Sequence, residues 1–179
     1  MHALRSAMGI ALALVIFPSY SHVVLGQPAA LAGTSYRAAL QVAHGCGASP
    51  TTTIRVQIPE QLRDAKPMPK PGWTLAVTSA PLRQPYTSHG STVTEGVTEI
   101  VWTANSPETA LPDAQYDEFV FRGGLAPVAG PVWFKVVQSC AQGSNQWVEV
   151  PSSGNSTQGL KSPAALLDVI ESSTVGHQH

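Results

Sequence analysis

The sequence is poor in charged residues, and this scarcity limits the classes of function that the protein can have. Only 12% of its 179 residues are Asp, Glu, Lys or Arg, which is about half of the share found in typical globular domains. The net charge is −1. Nucleic-acid binding requires a cluster of basic side chains, so we expect no nucleic-acid partner.

The sequence also lacks an apolar run of the length that a membrane-spanning helix needs, which is about 20 residues. The longest run, Ala7–Phe17, has 11 residues and follows a short positively charged start. This pattern, with small residues after the run, is typical of a secretory signal peptide. We predict a signal peptide over residues 1–21, with cleavage between Ser21 and His22 and a periplasmic or secreted mature protein. Cleavage after Gly26 is the alternative.

Cysteine is scarce as well, with only Cys46 and Cys140 in the chain. Both follow the predicted signal peptide, and disulfides persist in the oxidising compartments to which such proteins are exported. We therefore predict a Cys46–Cys140 disulfide. A pair of thiolates that binds a soft metal is the alternative, but no C-x-x-C spacing supports it.

Several motifs that would indicate an enzyme are missing from the sequence. It contains no G-x-S-x-G elbow, no H-E-x-x-H zinc motif, no P-loop and no G-x-G-x-x-G loop. The adjacent carboxylates Asp117 and Glu118 point to opposite faces of a strand, so they cannot share one site. We expect the protein not to be an enzyme.

The remainder of the sequence reads as a series of short strands separated by Pro- or Gly-containing turns. Alternating or β-rich segments predict strands, and they are Ser35–Val42, Thr52–Ile58, Trp73–Val77, Val97–Thr103, Glu118–Arg122, Val132–Gln138 and Gln146–Val150. Such a pattern favours an all-β protein, an antiparallel β-sandwich of about 7–9 strands. We place this domain at residues 22–151, followed by a flexible tail over 152–179 with a short strand or helix near 160–170.

His22 is of chemical interest because it would be the first residue of the mature chain. The α-amino group of a protein has a pKa of about 7.7–8.0 and loses its proton readily when a metal competes for it. The imidazole of the same residue lies within chelating reach of this amine. Two nitrogen donors from one residue suit Cu(II).

Several long segments resemble a known family of exported proteins. They are His22–Leu25, Ala32–Tyr36, His44–Cys46, Ile54–Glu60, Ala65–Leu75, Thr92–Trp102, Gln115–Arg122 and Gln146–Glu149. The stretches PMPKPGW and QYDEFVFRG are the most distinctive. The sequence from His22 to Pro151 is similar to the YcnI-like copper-binding domain in its Gram-negative form.

This resemblance implies an immunoglobulin-like or cupredoxin-like sandwich with a copper site at the mature N-terminal histidine. In the family, this histidine is completed by an acidic residue and a nearby tryptophan. On the present sequence these roles fall on His22 and Trp147. The acidic position of Gram-positive relatives has no carboxylate here, so Glu149 and His44 are the candidates for the remaining ligand.

The function implied by this resemblance is copper homeostasis. We expect a monomer that sequesters Cu(II) or passes it to a periplasmic copper chaperone or a copper-uptake membrane protein. One alternative is a copper-dependent redox enzyme, which would use the same histidine brace with His44 as a second histidine. The other is an immunoglobulin-like protein-interaction module that binds no metal.

Overall fold

The structure is a computed structural model that describes residues 22–172; the predicted signal peptide, His177 and His179 lie outside this range. The described residues form twelve strands and one turn of 3₁₀ helix at Pro107–Thr109. The strands are Val24–Leu25 (β1), Ala29–Leu31 (β2), Ser35–Val42 (β3), Thr51–Gln57 (β4), Leu62–Pro67 (β5), Trp73–Ser88 (β6), Ser91–Ala104 (β7), Asp117–Leu125 (β8), Gly130–Phe134 (β9), Val136–Cys140 (β10), Ser144–Trp147 (β11) and Ala165–Ile170 (β12).

These strands form three sheets, which confirms the predicted all-β sandwich. Their orders are β1-β3-β8-β5, β11-β10-β4-β7-β6 and β2-β12-β9. The inward side chains of all three sheets meet in one hydrophobic core, in which Trp102, Phe119, Phe121 and Phe134 are fully buried. Within residues 22–172, no helix has the length and apolar character needed to cross a membrane.

The strand count exceeds the predicted 7–9 because one predicted strand is divided and several short ones carry no clear alternation. The run Val132–Gln138 buries every second side chain throughout. Its first half pairs with β12, whereas its second half pairs with β4 and β11. The chain therefore passes from one sheet to another at Lys135, although the period-two pattern continues unbroken.

The predicted domain boundary at residue 151 falls too early. Strand β12 pairs with β2 in parallel and with β9 in antiparallel orientation. Its inward side chains, Ala165, Leu167 and Val169, are buried in the core. Residues 165–170 are thus a central strand of the sandwich, reached through the loop that follows residue 151, and the expected short element is this strand.

The start of the described chain is held in place by two different sheets. Strand β1 pairs with β3, with Val24 opposite Gln41 and Leu25 opposite Leu40. A few residues later, β2 joins β12 in another sheet. Val23 and Leu25 are buried, so His22 lies directly before a segment that belongs to the core.

Candidate functional site

His22 and Trp147 lie against each other although they are far apart in sequence. Trp147 ends β11 and stands opposite Val136 of β10, which fixes its place at the edge of the five-stranded sheet. The two ring centroids are 5.1 Å apart, and the ring planes meet at 70° in an edge-to-face arrangement. Trp147 is only 5% exposed, so its indole forms a buried wall beside the imidazole.

Both rings carry a nitrogen that lacks a hydrogen-bond partner. Within residues 22–172, Nε2 of His22 and Nε1 of Trp147 are the two buried side-chain polar atoms without one. A buried polar atom left unsatisfied costs about 1–3 kcal/mol. A bound water or a polar ligand would satisfy both atoms; the indole N–H only donates, so it needs an acceptor and not a cation.

A shallow groove of about 410 Å³ opens beside His22. One side is formed by residues 22–25 with Pro28 and Ala29, and the other by residues 163–166 with Thr157 and Asp168. Most of these side chains are apolar. The imidazole of His22 therefore lies at the margin of an open, largely apolar surface, where an exchangeable ligand has access from solvent.

Asp168 is a carboxylate of this groove that the sequence did not predict. It lies on β12, with its side chain on the outward face and both carboxylate oxygens 3.2 Å from Nδ2 of Asn155. The alternation of residues 165–170 indicates the outward position of Asp168, because Leu167 and Val169 point inward and Asp168 lies between them. A strand prediction for this segment would have placed Asp168 on the surface.

Glu149 is hydrogen-bonded to the backbone of the loop that precedes β12. Strand β11 ends at Trp147, and Glu149 continues beyond it as an isolated parallel bridge with Pro163. Its Oε2 accepts hydrogen bonds of 2.7 Å from the backbone N–H groups of Lys161 and Ser162. These bonds fix the loop that leads into β12 and forms one side of the His22 groove.

His44 lies in the loop that carries the disulfide. Its Nδ1 is 2.6 Å from the carbonyl oxygen of Gly45, and its own carbonyl accepts a 2.7 Å bond from Nε2 of the buried Gln138. Gln138 also donates to Oγ1 of Thr51 at 2.8 Å. These bonds give His44 a part in a polar network beneath the loop.

The predicted disulfide is confirmed. Cys46 and Cys140 are bonded, with Cα atoms 5.9 Å apart, and no free cysteine is found in the described chain. The bridge joins the loop after β3 to the end of β10, and Gly45 in that loop donates its N–H to Oδ1 of Asp113 at 2.8 Å. A disulfide is consistent with an oxidising, extracytoplasmic location.

The donor atoms at His22 determine which metal chemistry is feasible there. Across residues 22–172, no three His, Cys, Asp or Glu side chains are grouped so that they could hold a metal ion. A metal at this site would depend on the nitrogens of His22, and imidazole is a ligand that copper accepts. The groove beside His22 is compatible with such an ion. The imidazole atom that can chelate together with the α-amine is Nδ1, because the buried Nε2 lies on the far side of the ring.

Comparisons with known proteins define the fold and the family. A structural neighbour is an uncharacterized protein from Nocardia farcinica with an immunoglobulin-like fold; the TM-score is 0.63, the identity is 24%, and the match covers 83% of this chain and 97% of that one. No curated protein matches the sequence. The sequence profile of a family described as "Domain of unknown function (DUF1775)" matches residues 22–169, and the chain belongs to this family.

Proposed function

We propose that the protein is an exported, monomeric copper carrier that binds Cu(II) through the α-amine and imidazole of His22 once residues 1–21 have been removed. The observation that supports this most is the edge-to-face contact between the rings of His22 and Trp147. The α-amine and Nδ1 of His22 are the two atoms that would chelate the ion together. The resemblance to YcnI-like domains points to the same two residues. Copper is the cargo in this proposal, and no reaction is assigned to it.

The choice of His22 as the first mature residue is supported by the burial of the residues that follow it. Val23 and Leu25 are buried, and β1 pairs with β3. Cleavage after Gly26 would remove both side chains from the core, at a cost of about 1.5–3 kcal/mol each. The family match also begins at residue 22. Cleavage between Ser21 and His22 keeps the core intact and places the amine next to the imidazole.

A carrier role fits the sparse set of donors around His22. Glu149 already accepts two backbone hydrogen bonds, so its carboxylate is engaged in the fold. A copper ion held by His22 alone would therefore have coordination positions left for exchangeable ligands. Exchange of such ligands allows a metal to pass to a partner. A periplasmic copper chaperone or a copper-uptake membrane protein is the partner that we propose.

The proposal is tested by blocking the amine while the imidazole remains. Three mature chains are compared for Cu(II) affinity by chelator competition: one that starts at His22, the same chain with its α-amine acetylated, and one with His22→Ala. The two nitrogens act as linked donors, so acetylation is expected to weaken binding by at least about 100-fold. Equal affinity of the first two chains would refute the brace.

A second measurement tests the role of Trp147. Copper is expected to quench the fluorescence of the protein mainly through Trp147, because its ring is 5.1 Å from that of His22. Trp147→Phe should therefore abolish most of the quenching. The matched control, Trp133→Phe, removes a half-buried tryptophan on β9 and should retain it. Unchanged quenching in Trp147→Phe would remove Trp147 from the site, and indifference of every chain to copper would favour the interaction module.

A further inference from the structure

Three basic side chains form a row across the outer face of the sheet β1-β3-β8-β5. Arg37 of β3 stands directly opposite Arg122 of β8, and Arg122 stands directly opposite Lys66 of β5. Neighbouring strands are about 4.7–4.9 Å apart, so the row spans about 10 Å. The three residues are exposed, and they account for three of the ten Lys and Arg residues in the chain.

This row is electrostatically unfavourable on its own. Like charges placed directly opposite each other in a sheet destabilise it. The outer two cations have carboxylate partners: Arg37 is 3.9 Å from the half-buried Glu118, and Lys66 is 3.1 Å from the exposed Asp64. Exposed pairs of this kind contribute little. Arg122, in the middle, has no carboxylate within 4 Å in the described chain.

A preformed groove of about 670 Å³ lies along the row. Its apolar part comes from Pro67, Met68, Pro69 and Val120, and Met68 is 50% exposed. The N–H of Met68 donates to the carbonyl of Val120 at 2.8 Å, which attaches the proline-rich loop to β8. The volume lies within the usual range of small-molecule sites.

The groove also accounts for the two most distinctive segments of the sequence. The stretch PMPKPGW at 67–73 and the stretch QYDEFVFRG at 115–123 both contribute lining residues. They are joined by an ion pair of 2.6 Å between Lys70 and Asp117 and by a bond of 3.3 Å from Lys70 to the carbonyl of Glu118. The proposed copper site uses neither segment.

We propose that this groove binds a compact organic anion with two or three carboxylate groups. The guanidinium of Arg122 is a planar fork that can hold one carboxylate by two parallel hydrogen bonds. Arg37 and Lys66 stand on either side to receive the others. The carbon skeleton then rests on the proline-rich loop and Val120. Binding of the anion neutralises the row and relieves its repulsion.

The probe is propane-1,2,3-tricarboxylate, and the protein is the mature chain in metal-depleted buffer of low ionic strength. Calorimetry and thermal unfolding are measured for wild type, Arg122→Gln, Lys66→Gln and the control Lys135→Gln, which removes an exposed cation that forms no ion pair in residues 22–172. We expect the tricarboxylate to raise the Tm of wild type. Arg122→Gln should weaken binding at least about tenfold and Lys66→Gln less, while the control retains it.

The Tm of Arg122→Gln without ligand distinguishes a binding role of Arg122 from a purely structural one. Because the substitution relieves repulsion, its Tm should equal or exceed that of wild type at low salt. A lower Tm, or equal loss of affinity in Lys135→Gln, would overturn the proposal. So would binding of hexaglutamate without binding of the tricarboxylate, since the groove would then serve an acidic protein segment. His22→Ala should bind the tricarboxylate normally, which separates this test from that of the copper site.

Discussion

Removal of the Cys46–Cys140 disulfide is expected to cost a large share of the stability that a domain of this size has. The two cysteines are 94 positions apart, so the bridge closes a very long loop in the unfolded chain. In the chain-entropy account, a loop of this length lowers the unfolded-state entropy by an amount worth about 4–5 kcal/mol at 25 °C. Typical domains are stable by about 5–15 kcal/mol. The double variant Cys46→Ser/Cys140→Ser should therefore lose between about a third and nearly all of that stability.

Urea unfolding of the mature chain, followed by tryptophan fluorescence, measures this loss. Fully reduced wild type is the matched control, because it lacks the bridge but keeps both sulfur atoms. Both chains should lose about 4–5 kcal/mol, and both should show a larger m value, since their unfolded states are less compact. A loss below about 1 kcal/mol with an unchanged m value would show that the bridge does not restrain the unfolded chain, and would refute the reasoning.

Three further predictions concern the packing and electrostatics of the sandwich. Burial raises the pKa of Tyr36 to about 12, so the contribution of this residue to wild-type stability should fall by about 2 kcal/mol as pH rises from 10 to 12. Tyr36→Phe should remove this fall, and parallel curves of Tm against pH would contradict it. Glu149→Ala should lower the free energy of unfolding by about 1–3 kcal/mol. It should also speed hydrogen exchange at the amides of Lys161 and Ser162, which donate to Glu149; unchanged exchange would contradict the role of Glu149 in fixing this loop. A Cβ at Gly123 would lie 2.6 Å from the carbonyl oxygen of Arg63, whereas one at Gly124 would meet nothing within 4 Å. Gly123→Ala should cost about 1–3 kcal/mol and Gly124→Ala less than about 0.5 kcal/mol in urea unfolding, and equal losses would contradict the packing argument.

The sequence predicted the fold class because period-two alternation is a local signal. Ser35–Val42 is a strand with the predicted bounds, and the predicted strand Val97–Thr103 lies wholly within β7. Alternation does not indicate which strand a segment pairs with. Residues 132–138 therefore read as one strand, although the two halves join different sheets.

The candidate site shows the same limit more sharply. The contact of His22 with Trp147 depends on the registers of β1 with β3 and of β11 with β10, and neither register can be read from the chain. Only the family resemblance brought these two residues together. The cationic row could not be predicted for the same reason. Before the strands are paired, each of Arg37, Arg122 and Lys66 is an ordinary surface cation.

The segment between β1 and β2 connects the two grooves. Gln27 lines the groove of the cationic row, and the next residue, Pro28, lines the groove beside His22. The carbonyl of Gln27 accepts a 2.6 Å hydrogen bond from the hydroxyl of the buried Tyr36. This bond anchors the one stretch of chain that both grooves share. With the anchor in place, a ligand in one groove has little freedom to shift the other, so the two sites should bind independently.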